Sequence, residues 1–182
     1  MKTLPRLAAL LTFCSIIMFA SFANAQAVQV CDMGAATLVK KSNIVFSMVN
    51  MPLRITDFTH LGKMSPESPY DLYISVAGQK PDGAVVSFFC NDTGFVSKIM
   101  VMANSKNPQA ARNAGFTLGA LLISMDLSSS EMDVLMEKRP ANKTYADVWA
   151  AKTNRRILLE YNLQEAKNGD SIMILLLTAL DK

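Results

Sequence analysis

Residues 107–139 read NPQAARNAGFTLGALLISMDLSSSEMDVLMEKR, and the fold depends on how that stretch divides. Asn107 followed by Pro108 is a helix opening. Asn107 is the N-cap, and Pro108 stands at the first helical position, where its missing N–H costs nothing. Ala111, Ala114, Leu118, Leu121, Leu122 and Met125 then recur with the 3.6-residue period of one helix face, leaving Gln109, Arg112, Asn113, Thr117 and Ser124 for water. A second helix starts at Ser128. Ser128 and Glu131 form an S-x-x-E capping box, and Leu127 and Met132 are spaced for the hydrophobic staple around it. Met132, Leu135 and Met136 supply its apolar stripe, Lys138 and Arg139 suit its negative end, and Pro140 stops it. Capping explains the Ser128–Ser130 run.

Ala111, Gly115 and Gly119 make a small-residue row along the first helix. A mid-helix glycine costs about 1 kcal/mol relative to alanine, so the row implies a close backbone approach, most simply to the chain's own sheet. A helix–helix dimer seam is the alternative.

On both sides of the helix pair the pattern changes to period two. Leu72, Ile74 and Val76 alternate with Asp71, Tyr73 and Ser75. Pro81-Asp82-Gly83 turns the chain into a strand over Ala84–Cys90, and Asn91-Asp92-Thr93-Gly94 turns it into another over Phe95–Ala103. After the helices, Tyr145–Ala151 and Arg155–Tyr161 flank a turn at 152–154. A longer turn with Asn168-Gly169 leads to a last strand, Ser171–Leu180. Upstream, Asp32 opens a helix through Ala36, Leu38, Val39, Ser42, Val45, Phe46 and Val49. Ile44, Phe46 and Met48 also alternate as a strand would, but helix is the preferred reading. Residues 54–69, with Gly62, Pro66 and Pro69, read as a loop or lead-in packed through Leu53, Ile55, Phe58 and Leu61. The expectation is one α+β domain in (α)βββ–αα–βββ order, with a mainly antiparallel sheet of five to seven strands and the helix pair on one face. Val85-Val86, Phe88-Phe89 and Leu175–Leu177 are apolar on both sides, so the second sheet face needs a cover, either the N-terminal segment or a partner.

The first 25 residues carry the pattern of a cleavable signal peptide: Lys2 and Arg6, an apolar run from Leu7 to Phe22, and Ala23-Asn24-Ala25 before the cut. Phe13 before Cys14 is too bulky for lipoprotein processing. Residues 26–182 then form the mature domain, 182 less 25, or 157 residues, exported to a periplasm or secreted. No later stretch is long and apolar enough for a stable membrane span. The net charge of +3 falls to +1 without Lys2 and Arg6, and no block of like charges exists, which argues against nucleic acid. Cys31 and Cys90 remain, and an even pair in an exported chain reads as a disulfide. It would close a loop of about 60 residues, worth roughly 4 kcal/mol.

Catalytic and metal patterns are missing. His60, the one histidine, has no nucleophile motif around it and reads as a plain surface or loop residue. Phosphate loops are absent, and nothing in the spacing of Asp71, Asp82, Asp92, Asp147 and Glu160 selects a carboxylate pair. Met48-x-x-Met51 and Met100-x-Met102 have Cu(I) spacing, but methionine is a common core filler. Asn91-Asp92-Thr93 and Asn142-Lys143-Thr144 fit the glycosylation acceptor pattern. Trp149, Arg155 and Arg156 meet across a short hairpin, and these residue types favour interaction surfaces. Arginine stacked on tryptophan within the sheet is the competing explanation. At the level of fold, strands around a helix pair are similar to small secretion chaperones and exported inhibitor domains, and fold does not fix function. The expectation is an exported, non-enzymatic protein-binding domain without cofactor or metal, acting on another protein or on itself through a sheet or helix face. The alternatives are a carrier of a small hydrophobic ligand and a carboxylate-based hydrolase.

Overall fold

The structure, a computed structural model, describes residues 28–136, 144–165 and 170–180. Helix α1 (Ala35–Met48) precedes four strands, β1 (Ile55–Lys63), β2 (Asp71–Ala77), β3 (Ala84–Cys90) and β4 (Val96–Asn104). Helices α2 (Pro108–Ser124) and α3 (Ser129–Met136) follow, then β5 (Tyr145–Ala150), β6 (Arg155–Glu165) and β7 (Ser171–Leu180). The strands form one antiparallel sheet in the order β1-β2-β3-β4-β7-β6-β5. Two meanders therefore meet at β4 and β7, where Val101 stands opposite Leu175. The helix pair carries the chain from the central β4 to the far edge strand β5.

The expected α+β domain is the observed one, with one strand more. Residues 55–63, expected as lead-in, are the edge strand β1. Only Ile55 is buried there, so no alternation marks the strand. Its pairing with β2 is broken by irregularities between Thr56 and Thr59 and between His60 and Gly62, and Asp57 adopts a left-handed φ of 54°. Such irregularities blunt an edge against pairing with other chains.

One sheet face and all three helices share the main core. Phe46 and Leu38 of α1, Leu118, Leu121 and Leu122 of α2 and Leu135 of α3 pack with Phe88, Ile99, Ile157 and Leu177 of the sheet. Each such side chain contributes about 1.5–3 kcal/mol through burial. The other face carries a second cluster, Leu72, Phe89, Met100, Met102 and Ile174 with Tyr70, and no helix residue belongs to it.

The caps form as the sequence implies. Asn107 Oδ1 accepts the N–H groups of Gln109 and Ala110 at 3.0 and 3.2 Å, and its Nδ2 donates to Asp82 at 2.9 Å. The Ser128 N–H donates to Glu131 Oε2 at 2.7 Å, and the Glu131 N–H returns to Ser128 Oγ at 3.4 Å. Glu131 Oε1 also accepts the Ala151 N–H at 2.8 Å, tying α3 to the end of β5. These bonds to the ionised form, the Ala151 one foremost, hold the Glu131 carboxyl below its ordinary value.

Four local expectations need correction. Thr117 and Ser124 do not face water but are buried, and their hydroxyls bond back to the carbonyls of Asn113 and Ala120. Met136 is exposed rather than part of a buried stripe. The small-residue row makes no close approach: a Cβ at Gly115 or Gly119 would meet nothing within 4 Å. The N-cap of α1 is Gly34, with no side-chain cap, and Asp32, two residues earlier, accepts from Arg155 instead. The signal segment, the helix stop at Lys138–Pro140, the acceptor Asn142 and the Asn168-Gly169 turn lie outside the described residues.

Candidate functional site

Half of the twelve exposed large hydrophobic side chains among the described residues fall within residues 44–64: Ile44, Met48, Val49, Phe58, Leu61 and Met64. That concentration marks the outer side of α1 and the adjoining edge strand β1. Local chemistry fixes both elements. Helix α1 ends in a Schellman arrangement, with the Met51 N–H bonded to Phe46 O, the Asn50 N–H to Ser47 O, and Asn50 in the left-handed region at φ 53°. Arg54 then folds back over that end, donating to the carbonyls of Met51 and Leu53 and to Ser47 Oγ. Asn43 acts like one residue of a neighbouring strand: its Nδ2 donates to Ile55 O at 2.9 Å, and its Oδ1 accepts the Ile55 N–H at 2.8 Å. On its inner side α1 is held to α2 by the buried Ser42 and Ser124 hydroxyls, 3.1 Å apart.

The result is an open cleft of about 550 Å³ between helix and edge strand, lined by Ala36, Val39, Lys40, Asn43, Ile44, Ser47, Arg54 and Phe58. Phe58 stacks on Tyr73 with ring centroids 5.2 Å apart, and Tyr73 stacks on His60 at 4.4 Å. The aromatic surface thus continues along β1 and β2 beyond the cleft. Ile44 is 51 % and Met48 77 % exposed, and apolar side chains gathered on one surface, rather than scattered singly, mark interaction sites.

His60 is exposed at the surface, as expected, but on the edge strand β1 rather than in a loop. Its Nε2 lies 3.6 Å from Asp71 Oδ1. Cys90 is the register partner of Asp71, but it is buried and desolvation raises its thiol. That is the opposite of what a nucleophilic cysteine requires. Among the described residues, no group of three or more His, Cys, Asp or Glu side chains could hold a metal ion. Met100 and Met102 lie in the second sheet-face cluster while Met48 is on the outside of α1, so the methionine motifs belong to different surfaces.

The hairpin trio separates. Trp149 and Arg156 are cross-strand partners, both exposed, and Arg156 Nε bonds Asp147 at 2.6 Å. Arg155 points the other way, to Asp32 at 2.5 Å, and has a side-chain exposure of only 16 %. Hydrogen bonding to Arg155 keeps the Asp32 carboxyl below its ordinary value. Arg155 is thus a tether for the segment before α1, and the expected three-residue surface is reduced to two.

The expected Cys31–Cys90 bridge is not formed in this structure; both thiols are free and buried. Cys31 Sγ is directed at the Met33 carbonyl, 3.8 Å away, while Cys90 accepts from the Ala35 N–H. Burial foremost, with the charges of Asp32 and Cys90 adding to it, raises the Cys31 thiol to about 11. No helix among the described residues is long and apolar enough to cross a membrane.

Sequence reasoning missed the cleft. It treated Ile55, Phe58 and Leu61 as packing residues, yet Phe58 and Leu61 are exposed. A signal was present in the charges. Residues 35–63 contain Lys40, Lys41, Arg54 and Lys63 against the single carboxylate of Asp57, a net +3, equal to the formal surplus of the whole chain. Comparison with family models, with curated proteins and with solved structures finds no match.

Proposed function

We propose that this is an exported, non-enzymatic protein-binding domain that engages its partner through the α1–β1 face. The observation carrying this reading is the clustering of exposed apolar side chains in the two segments that form an open cleft, with Ile44 and Phe58 on its lining and Met48, Val49 and Leu61 exposed elsewhere on the same segments. The second sheet face is the weaker candidate, because Leu72, Met100 and Ile174 are already buried there. The cleft's open side also favours a protein segment over a small hydrophobic ligand, which a pocket normally encloses over most of its surface. The test is photo-crosslinking in the producing cell from probes placed at Met48 and Leu61, with Asn162 on β6 as control. A discrete protein adduct at the first two positions and none at the third supports the reading. No adduct, or equal labelling at all three, overturns it.

Export has a consequence for the thiols. We propose that Cys31 and Cys90 are joined after export, giving two protons and two electrons to a protein disulfide oxidant, whose own disulfide is reduced to the dithiol. The two sit in one corner of the core, with Cys90 accepting the N–H of Ala35, four residues beyond Cys31. Mass measurement of the unreduced exported chain after denaturation in alkylating agent decides it. Two alkyl adducts on that chain would refute the bridge.

A further inference from the structure

We infer that the segment received by the α1–β1 cleft is an amphipathic helix with acidic residues on its polar side, an inference that rests on the protein-binding reading of the cleft. The argument is one of charge and shape. Lys40 lines the cleft and Lys41 follows it on the helix, both exposed and neither with a carboxylate partner among the described residues. Arg54, on the same lining, spends its hydrogen bonds on two carbonyls and a hydroxyl, all neutral oxygens that leave its charge uncompensated. Lys63 is paired with Asp92 at 3.0 Å and adds nothing. Two cations, Lys40 and Arg54, therefore border an apolar recess, with Lys41 exposed on the same helix as Lys40, and an acidic partner is the complement.

The same charges disfavour other occupants. The segment before residue 28 carries Lys2 and Arg6 and no acidic residue, so it has the same sign as the cleft. A second copy joined by a two-fold axis through this face would bring two patches of the same positive sign together. A bilayer presents a flat surface, whereas Ala36, Val39 and Phe58 line a recess. The lining of α1 from Ala36 to Ser47 spans roughly 16 Å at 1.5 Å per residue, about three turns of a docked helix. Such a helix presents apolar anchors at i, i+4 and i+7. The bulged β1 edge makes strand addition the poorer mode.

The experiment titrates the exported chain with three labelled synthetic helices that share one leucine face and carry glutamate, glutamine or lysine on the polar side. Anisotropy is read at low and high salt. The expected result is binding of the glutamate helix at least about tenfold tighter than the glutamine one, falling with salt, with no binding of the lysine helix. The double variant Lys40→Glu, Lys41→Glu, checked for unchanged folding, should invert that order, and Ile44→Asp should abolish binding of all three. Equal binding of all three helices, lost in Ile44→Asp, would overturn the acidic assignment while leaving the protein-binding reading intact. Binding of none would overturn the acidic-helix inference, while the crosslinking test judges the broader reading by itself. Vesicles of anionic phospholipid are the last arm. Salt-sensitive binding to them, lost in the double variant, without binding of any helix would replace the partner with a membrane surface.

Discussion

Gly115 and Gly119 lie inside α2, and a Cβ added at either would meet nothing within 4 Å. Alanine at each position should therefore stabilise the domain. The gain comes from the reduced freedom of the unfolded chain and the better helix propensity, and no native contact opposes it. Each substitution is expected to add about 0.5–1 kcal/mol, and the pair about 1–2 kcal/mol if the two, one turn apart, do not couple. For a domain of this size that raises the midpoint by roughly 2–4 °C per kcal/mol. Urea and thermal denaturation of the single and double variants measure it, with light scattering to record the mass. A loss of stability in either single variant would refute the reasoning, because it would require a neighbour against the glycine row. A loss of stability accompanied by a fall in mass would identify that neighbour as a second copy, the dimer seam the sequence also allowed.

Three further outcomes follow from the geometry. Asn43→Ala removes both bonds to the Ile55 backbone and should cost about 1–3 kcal/mol, with increased amide exchange at the start of β1; exchange unchanged there would contradict the clamp. Met48→Asp changes a side chain that is 77 % exposed and should leave stability within about 0.5 kcal/mol while removing the crosslinked partner. Glu131 is held below its ordinary 4.5 by bonds to its ionised form, so its contribution is complete above that value and is lost as pH falls through the lower, folded-state value. The advantage of the wild type over Glu131→Gln should thus be present at neutral pH and shrink in strong acid, and an advantage that grows with acidity would contradict it. Any reduced chain offers a separate check on the core: with Cys31 raised from 9.0 to about 11, its thiolate fraction at mildly alkaline pH is about a hundredfold below that of a free thiol, and native alkylation should be correspondingly slow.

Where the sequence was legible, a local rule and the tertiary structure agreed. Asn107-Pro108 and Ser128-x-x-Glu131 cap the helices they announce. The β3 and β7 limits, Ala84–Cys90 and Ser171–Leu180, coincide with the apolar runs. Legibility failed where tertiary contacts override local pattern. Thr117 and Ser124 look solvent-facing on composition, but carbonyls within their own helix satisfy them and let them be buried. Asp32 resembles a cap until Arg155, 123 residues away, is brought beside it. The helix ends at Asn50 and Asp126 use left-handed residues other than glycine, so the usual stop signal is missing. Strand β1 has one buried residue and two irregularities, and a period-two signal cannot survive that. The cleft was obscured for the same reason. Its lining comes from one wall read as a core helix and another read as a loop, and only the unbalanced charge of residues 35–63 pointed to it.

The most direct test of the α1–β1 face is an amide-resolved NMR titration of the isotope-labelled chain of residues 26–182 with the glutamate-bearing helix. The account predicts shift changes concentrated in residues 36–48 and 54–64, with the Tyr73 amide included through its stacks on Phe58 and His60. Changes confined to the opposite sheet face, at Ile74, Ile172 and Leu176, or to the Trp149–Arg156 hairpin, would contradict it.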